Sequence, residues 1–414
     1  MRAIISRQQT PQDDGAQMPA RDPLIRPARQ PRRRRSSSRV LPVLAVLAAV
    51  AVLAAAGAAW TSRSGTDRTA LSAQPAPVAL AERSVPATVA VPEMARPATI
   101  TVSAVGDMIF DRRVGALVAA RGGEAPLASV APLLARADVT VGNLESPLSN
   151  GGERNTAKDV TFRGDPRAIA GLTASGFDFL SLANNHVLDY GPAALADTVA
   201  LLDQAGIAHA GAGADSSAAW APAVHEVNGA SVAFLSFSHI VPAGFTATSE
   251  RAGLAAGRTD MDAVAEAVRA AKEEQDYVIV SFHWGVEYED YANGDQVRDA
   301  HTTIDAGADM VLSHHPHVIQ GVEYYNGRLI AYSLGDFVFD HYSRKTGEAF
   351  VLDASLGPDG VTDAVCTPVY LDADGAPEVV TGSEATVILE RLKAISSPHG
   401  TAVAVDGDTA RVLP

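Results

Sequence analysis

The sequence predicts an α/β fold with mixed β-sheets and helices outside them. Short apolar runs alternate with helix-like segments from residue 100 to 315, and apolar pairs joined by tight turns dominate afterwards. Such alternation marks strands crossed by helices, and the hairpins add antiparallel strands to the same sheets. Polar residues also recur directly after the apolar runs, where α/β sheets gather ligand sites.

Residues 1–39 carry ten Arg against Asp13, Asp14 and Asp22, the composition of a disordered tail. Val40 to Trp60 holds 21 uncharged residues, enough to cross a bilayer core as a helix. Arg32 to Arg35 and Arg39 precede it, so the positive-inside rule puts the N-terminus in the cytoplasm and the body outside. The long leader favours an uncleaved signal anchor. The rival reading, secretion after cleavage among the small residues Ala54 to Ala59, exports the body equally. Residues 61–98 repeat Pro, Ala, Ser and Thr and read as a linker. The folded domain is expected over 99–372, with 373–414 as an extension packed on it or partly loose.

Within the domain, residues 100–105 form a strand ending in Gly106-Asp107, followed by helices over 112–120 and 129–135. Residues 138–141 form the second strand, ending in Gly142-Asn143-Leu144-Glu145. A helix over 166–175 stops at Gly176, and residues 177–182 lead as a strand into Asn184-Asn185-His186. Pro192 opens a helix that Gly206 closes. Strands 223–227 and 230–237 turn at Asn228-Gly229. Thr259 with Asp262 suggests a capping box for the helix bearing Val264, Ala265, Val268 and Ala271 on one face. Strand 277–282 ends in His283, and helix 295–306 leads into Asp309-Met310-Val311-Leu312-Ser313-His314-His315-Pro316-His317. Hairpins follow over 318–334 and 350–371, then a helix over 383–394 and a loose end.

The net charge is −15, and because the first 39 residues contribute +7, the rest carries −22. Such an acidic body repels phosphate backbones, and the aromatic share of 6% offers little stacking surface, so nucleic acid is excluded as a partner. The single cysteine, Cys366, excludes a disulfide framework and a cysteine-built zinc site, and reads as an inert buried thiol. Oligomeric state is not legible in the sequence.

Five strand ends deliver Asp107, Asn143 with Glu145, Asn184 with Asn185 and His186, His283, and His315 with His317 toward one edge. Side chains two apart on an extended chain point the same way, so an extended backbone through Pro316 converges His315 and His317 and turns His314 elsewhere. Oxygen and nitrogen donors without thiolate suit a divalent Mn, Fe or Zn, one ion or two. Glu287, Glu289 and Asp189 are candidates to orient an imidazole or are solvated loop charges. His301 reads as packing, His209, His225 and His399 as structural or exposed, and His239 stays open.

Gly106-Asp107-Met108, Gly142-Asn143-Leu144-Glu145-Ser146-Pro147, Asn184-Asn185-His186 with Asp189 and Gly191, His283-Trp284-Gly285-Val286-Glu287-Tyr288, His314-His315-Pro316-His317 and Ser333-Leu334-Gly335-Asp336-Phe337 stand in that order. Together, over about 99–341, they resemble the CapA family of poly-γ-glutamate capsule biosynthesis proteins. The resemblance implies a calcineurin-like metallophosphoesterase fold, a four-layer α/β/β/α sandwich with two mixed sheets. It implies Asp107, Glu145, Asn185, His283, His315 and His317 as metal ligands, with Asn184 the alternative to Asn185, and His186 as the proton donor to the leaving group. Asn143, Asn184, Asp189, Glu287, His314 and Asp336 are supporting or substrate-facing candidates. The sequence departs from the broader pattern where Met108-Ile109 replaces an x-His, where Glu145 replaces Asp, and at Asp336 and Ser313 where Asn and Gly are common. A single tightly held metal, or a second weak one, follows from the missing imidazole.

Two functions compete. One is a membrane-anchored, extracytoplasmic, metal-dependent hydrolase acting on a phosphoester or a γ-glutamyl amide. The other is a non-catalytic subunit that guides an anionic polymer within a capsule synthesis and export complex, alongside membrane-embedded synthesis subunits. An anionic polymer on so acidic a body needs a local basic groove, for which Arg112, Arg113, Arg154, Arg163 and Arg298 are candidates, or a bridging metal. A decayed site on the same fold is the third reading, disfavoured by the full ligand set.

Overall fold

The computed structural model describes residues 97–413. The expected tail, the spanning helix over 40–60 and nearly all of the linker lie outside these residues. Among the described residues, no helix is long and apolar enough to cross a membrane.

In chain order the strands are β1 Ile100–Met108, β2 Val139–Leu144, β3 Phe179–Ser181, β4 Ala208–Ala210, β5 Ala212–Gly213 and β6 Ala223–Val227. Next come β7 Ala230–Ser238, β8 Gly253–Leu254, β9 Tyr277–His283, β10 Met310–His314, β11 Val322–Tyr325 and β12 Arg328–Ala331. The last are β13 Asp336–Val338, β14 Glu348–Gly357, β15 Gly360–Leu371, β16 Pro377–Val379, β17 Ala402–Asp406 and β18 Thr409–Leu413.

The larger sheet runs β17-β18-β15-β14-β1-β2-β3-β4, with β13 paired to β1 and β16 to β15. The second runs β11-β12-β10-β9-β7-β6. In both, parallel strands occupy the middle or one half and antiparallel hairpins complete the rest, as the change of pattern after residue 315 predicts. The inner faces share one core. Ile100, Val102, Val139 and Phe179 from the larger sheet meet Val232, Phe234, Ile279 and Met310 from the second, with Phe179 stacked on Phe234 at 4.5 Å. Helices cover the outer faces. Arg112–Arg121 and Gly191–Ala205 contribute Val114, Val118, Leu195 and Leu202 to one outer core, while Met261–Glu274 and Gly294–Asp305 contribute Val264, Val268, Ala300 and Ile304 to the other. Burial on both faces explains why β7, β9 and β10 read as nearly unbroken apolar runs.

The C-terminal extension packs on the domain. Residues 373–413 do not trail loosely; β16 and β18 pair with β15, β17 pairs with β18, and the helix Gly382–Ser396 buries Ile388, Leu389, Leu392 and Ile395 in the shared core. The helix at 261 is capped by Asp260, whose side chain accepts from the Ala263 amide, not by Thr259. Cys366 is buried in β15, and burial pushes its thiol up, as an inert core residue requires.

One detail sets up the site. Ala104 pairs with Val141 but Asp107 pairs with Asn143, so β1 holds one extra residue against β2, a bulge that re-aims Asp107. There β1 also meets β13, with Asp107 beside Asp336. Only glycine permits that approach, since a Cβ on Gly106 would stand 1.9 Å from the Gly335 carbonyl oxygen.

Candidate metal centre and cleft

The strand ends converge. Ser238, His283 and His314 are level across β7, β9 and β10, while Asp107, Asn143 and Ser181 are level across β1, β2 and β3. Among the described residues, three groups of side chains have donor atoms close enough to hold a cation: Glu145 with His283 and His315, Asp107 with His317 and Asp336, and Glu287 with His315 and His317.

His315 and His317 do not converge through an extended backbone. β10 ends at His314, and His315 and His317 adopt φ of +99° and +56°. The left-handed turn swings both rings inward, with centroids 5.8 Å apart and the His315 ring 4.8 Å from that of His283. The Asp107 carboxylate fixes the turn by accepting from the His315 amide at 2.9 Å. His314 points into the fold, its Nδ1 3.4 Å from the other Asp107 oxygen.

The doubled asparagine separates by geometry. Asn184 Nδ2 donates to the Leu144 carbonyl at 2.8 Å and to Asn143 Oδ1 at 3.2 Å, while its Oδ1 accepts from the His186 amide. That side chain is spent on structure. Asn185 Oδ1 instead lies 2.9 Å from His283 Nε2, and Asn185 lines the cleft. Asn143 Nδ2 donates to Asp107 at 2.7 Å, orienting that carboxylate from β2.

Two carboxylates orient imidazoles. Asp189 Oδ2 accepts from His186 Nδ1 at 2.5 Å, and Asp336 Oδ1 pairs with His317 Nδ1 at 2.8 Å. Glu289 does not, because the residue is exposed and its hydrogen bonds are made by its backbone, the carbonyl accepting from Gln320 and the amide donating to Val286. Glu287 is exposed on the cleft rim. His239 lies apart, packed against Phe282 and Trp284 beside Arg258 and Arg298. His301 stacks on Tyr325 and pairs with Glu323, a packing role.

Lys158 and Phe162, on a loop without periodicity, carry no signal in the sequence. Lys158 Nζ donates to the Asn185 carbonyl at 2.5 Å and to Asp189 Oδ1, and lies 3.2 Å from His186 Nδ1. The Phe162 amide donates to Asp189 Oδ2, and its ring lies 4.2 Å from that of His186. Asp189 thus ties the loop to the helix-leading segment that carries His186.

Burial dominates the protonation of the cluster. It holds His186 down to about 4, His315 down to about 3, and His283 well below the usual imidazole value, the last with help from His315. Burial, then the charge of Asp107, pushes Glu145 well above the usual carboxylate value. Burial pushes Asp336 up to about 7. Burial opposes the charged forms of Asp107 and His317 too, but it loses there: His314, His283 and His317 hold Asp107 low, while Asp336 and Glu145 hold His317 high.

One observation tests the fit of a metal. Glu145 is fully buried, and among the described residues neither carboxylate oxygen has a hydrogen-bond partner and the neighbouring His315 Nδ1 also lacks one. Buried polar atoms left unpaired cost about 1–3 kcal/mol each, more for a charge. The unpartnered Glu145 carboxylate, in a set with His283 and His315 whose donor atoms lie within 4.8 Å of one another and with His283 Nε2 3.4 Å from Glu145, fits a bound divalent cation. The cluster opens into a cleft of about 360 Å³ lined by His186, Asn185 and His317 on one side and by Arg112, Tyr288 and Tyr342 toward solvent.

Residues 101–341 match the family described as bacterial capsule synthesis protein PGA_cap. The chain is 31% identical to the capsule biosynthesis protein CapA of Bacillus anthracis, covering 68% of this chain and 70% of the relative. It is likewise 31% identical to the PGA biosynthesis protein CapA of Bacillus subtilis (strain 168), covering 67% and 73%. Among solved structures, a Thermus thermophilus sulfate thiohydrolase SoxB aligns over 72% of this chain and 60% of its own at 16% identity and a TM-score of 0.39. A 5′-nucleotidase from Candida albicans aligns over 67% and 52% at 10% identity and a TM-score of 0.38. On the match over 101–341 and the two relatives, the chain belongs to the bacterial capsule synthesis protein PGA_cap family.

Proposed function

We propose that this chain is a membrane-anchored, extracytoplasmic, metal-dependent hydrolase of poly-γ-glutamate or capsule biosynthesis, cutting a phosphoester or a γ-glutamyl amide. The observation that carries the reading is the buried, unpartnered Glu145 carboxylate facing His283 and His315. Two mixed sheets between helix layers, with the cluster at the ends of their parallel strands, support a metallophosphoesterase-like architecture. Asp107, Glu145, Asn185, His283, His315 and His317 would hold Mn, Fe or Zn, as one ion or two. A bound divalent ion supplies Lewis-acid polarisation of the scissile group and an activated water.

The chain's own groups do the rest. Asp189 fixes His186 through Nδ1, which leaves Nε2 as the nitrogen available to the cleft. With its pKa held to about 4 by burial, His186 is neutral at pH 7. An anionic substrate beside it raises its proton affinity, so Nε2 takes up a proton and passes it to the leaving oxygen or nitrogen. Asp336 holds the His317 ring, and Lys158 clamps the Asn185 backbone so that its amide faces His283.

The test is metal content of the purified protein together with turnover of a generic phosphodiester and a γ-glutamyl amide. His186→Ala should lower turnover by about 10²–10⁴ with metal content unchanged. Bound metal without turnover of either bond class would overturn the hydrolytic reading in favour of the polymer-guiding one.

A further inference from the structure

We propose that Arg112, held by Tyr342 and Phe162, is an anion-binding subsite on the cleft rim that takes a second negative group of the substrate, beyond the bond that is cut. Six non-glycine residues among those described have positive φ: Arg112, Asn228, Tyr288, His315, His317 and Asn326. The two asparagines sit in Asn-Gly hairpin turns, where that conformation is expected. The other four line the cleft or the cluster behind it. Such backbone is retained where the surroundings enforce it, most often at functional sites. For His315 and His317 the reason is the metal cluster. Arg112, at φ +52°, needs another.

Its side chain supplies one. The Arg112 guanidinium lies over the Phe162 ring at 4.6 Å and donates from Nη1 to the Tyr342 hydroxyl at 2.9 Å. Among the described residues it has no carboxylate partner, unlike Arg167, Arg298 and Arg391, which are paired with acids. Two neutral groups therefore hold a full positive charge in place and leave most of its N–H donors free, a fork suited to a carboxylate or phosphate.

The charges around it sharpen the point. Asp159, Glu287, Asp336 and Asp340 also line the cleft, and Lys158 is engaged by Asp189 and the Asn185 carbonyl. An anionic chain entering this acidic cleft finds favourable charge at two places, the metal cluster and Arg112. Phe162 sets their separation. Its ring centroid is 4.6 Å from Arg112 Cζ and 4.2 Å from the His186 ring, so the guanidinium and the proposed proton donor lie no more than 8.8 Å apart. Neighbouring anionic groups along a γ-linked glutamyl or a polyphosphate chain fall within that reach. The substrate class inferred is thus a linear polyanion, gripped at two successive charges.

The assignment rests on the hydrolytic reading for where the bond is cut, but its binding is measured apart from turnover. The experiment titrates short γ-linked oligoglutamate, its carboxyl-amidated counterpart, and tripolyphosphate against the manganese-loaded protein and its Arg112→Ala, Tyr342→Phe and Arg121→Ala variants. Arg112→Ala should weaken one of the two polyanions about tenfold or more, and Tyr342→Phe should weaken the same one less. The amidated oligomer and Arg121→Ala, on an exposed position of the same helix, should show no effect. Whichever polyanion responds identifies carboxylate or phosphate as the group held. Equal affinity of wild type and Arg112→Ala for both polyanions would overturn the subsite, even with hydrolysis intact. Arg112-dependent binding without turnover would leave the subsite standing and remove the hydrolytic reading.

Discussion

Glu145→Gln keeps the shape of the side chain and removes its charge, so it separates a metal ligand from a structural acid. In the wild type without metal, the carboxylate is fully buried with both oxygens unpartnered, and Asp107 adds a like charge. Relief of those penalties should make the metal-free variant more stable by about 1–3 kcal/mol. Adding metal reverses the order. A site filled at a hundred times its dissociation constant gains about 2.7 kcal/mol through linkage, and at a thousand times about 4 kcal/mol. Glu145→Gln loses an anionic ligand and most of that gain. The assay is urea unfolding of both proteins in EDTA and in saturating Mn²⁺ or Zn²⁺. The expected result is a crossing: the variant more stable without metal, the wild type equal or better with it. A variant that is less stable under both conditions would refute the reasoning and make Glu145 an ordinary core acid.

Further outcomes follow from the same geometry. Gly106→Ala should cost about 3 kcal/mol or more in urea unfolding and disrupt metal binding, because its Cβ meets the Gly335 carbonyl at 1.9 Å and pushes β1 from β13. Gly122→Ala, at φ +97° in open space, should cost about 1 kcal/mol from backbone strain alone. For pH, His186 has its folded value lowered from 6.5 to about 4, so the unfolded chain binds the extra proton between them. Its contribution of about 3 kcal/mol is present above pH 6.5 and lost as pH falls to about 4. Asp336, raised to about 7, contributes the opposite slope. Comparing wild type with His186→Gln in EDTA across pH 4–7 cancels that slope, and an unchanged difference across the range would count against a buried neutral His186.

The strand ends were legible because they depend on local patterns. An apolar run followed by Asp, Asn or His places the polar group at the end of a strand whatever the neighbours are, and that was enough to bring Asp107, Glu145, His283 and His315 to one edge. What was not legible depends on partners distant in sequence. The extended reading of His315-Pro316-His317 failed because the Asp107 carboxylate captures the His315 amide and bends the turn. Lys158 and Phe162 lie on a loop ordered by Asp189, a residue on another segment, so no periodicity announces them. The C-terminal residues read as a loose end because β17 and β18 are short and half exposed, and only the pairing of β18 to β15 and of β17 to β18 makes them strands.

The same dependence explains why the sequence leaves the two asparagines undecided while the fold gives their side chains different partners. Asn184 is surrounded by β2, whose Asn143 side chain and Leu144 carbonyl accept both of its bonds, so it fixes the turn that delivers its neighbours. Asn185 is one step further on, past the sheet edge, and its amide oxygen meets His283 from the other sheet. Of the two asparagines, the second is the one whose side chain meets a residue at the strand ends of the other sheet. His186 follows immediately and is turned to Asp189, away from the cluster but into the cleft. In the proposed reading, structural, ligand and proton-transfer roles would fall to three consecutive residues because the chain there leaves one sheet, crosses toward the other and turns into the helix Gly191–Ala205.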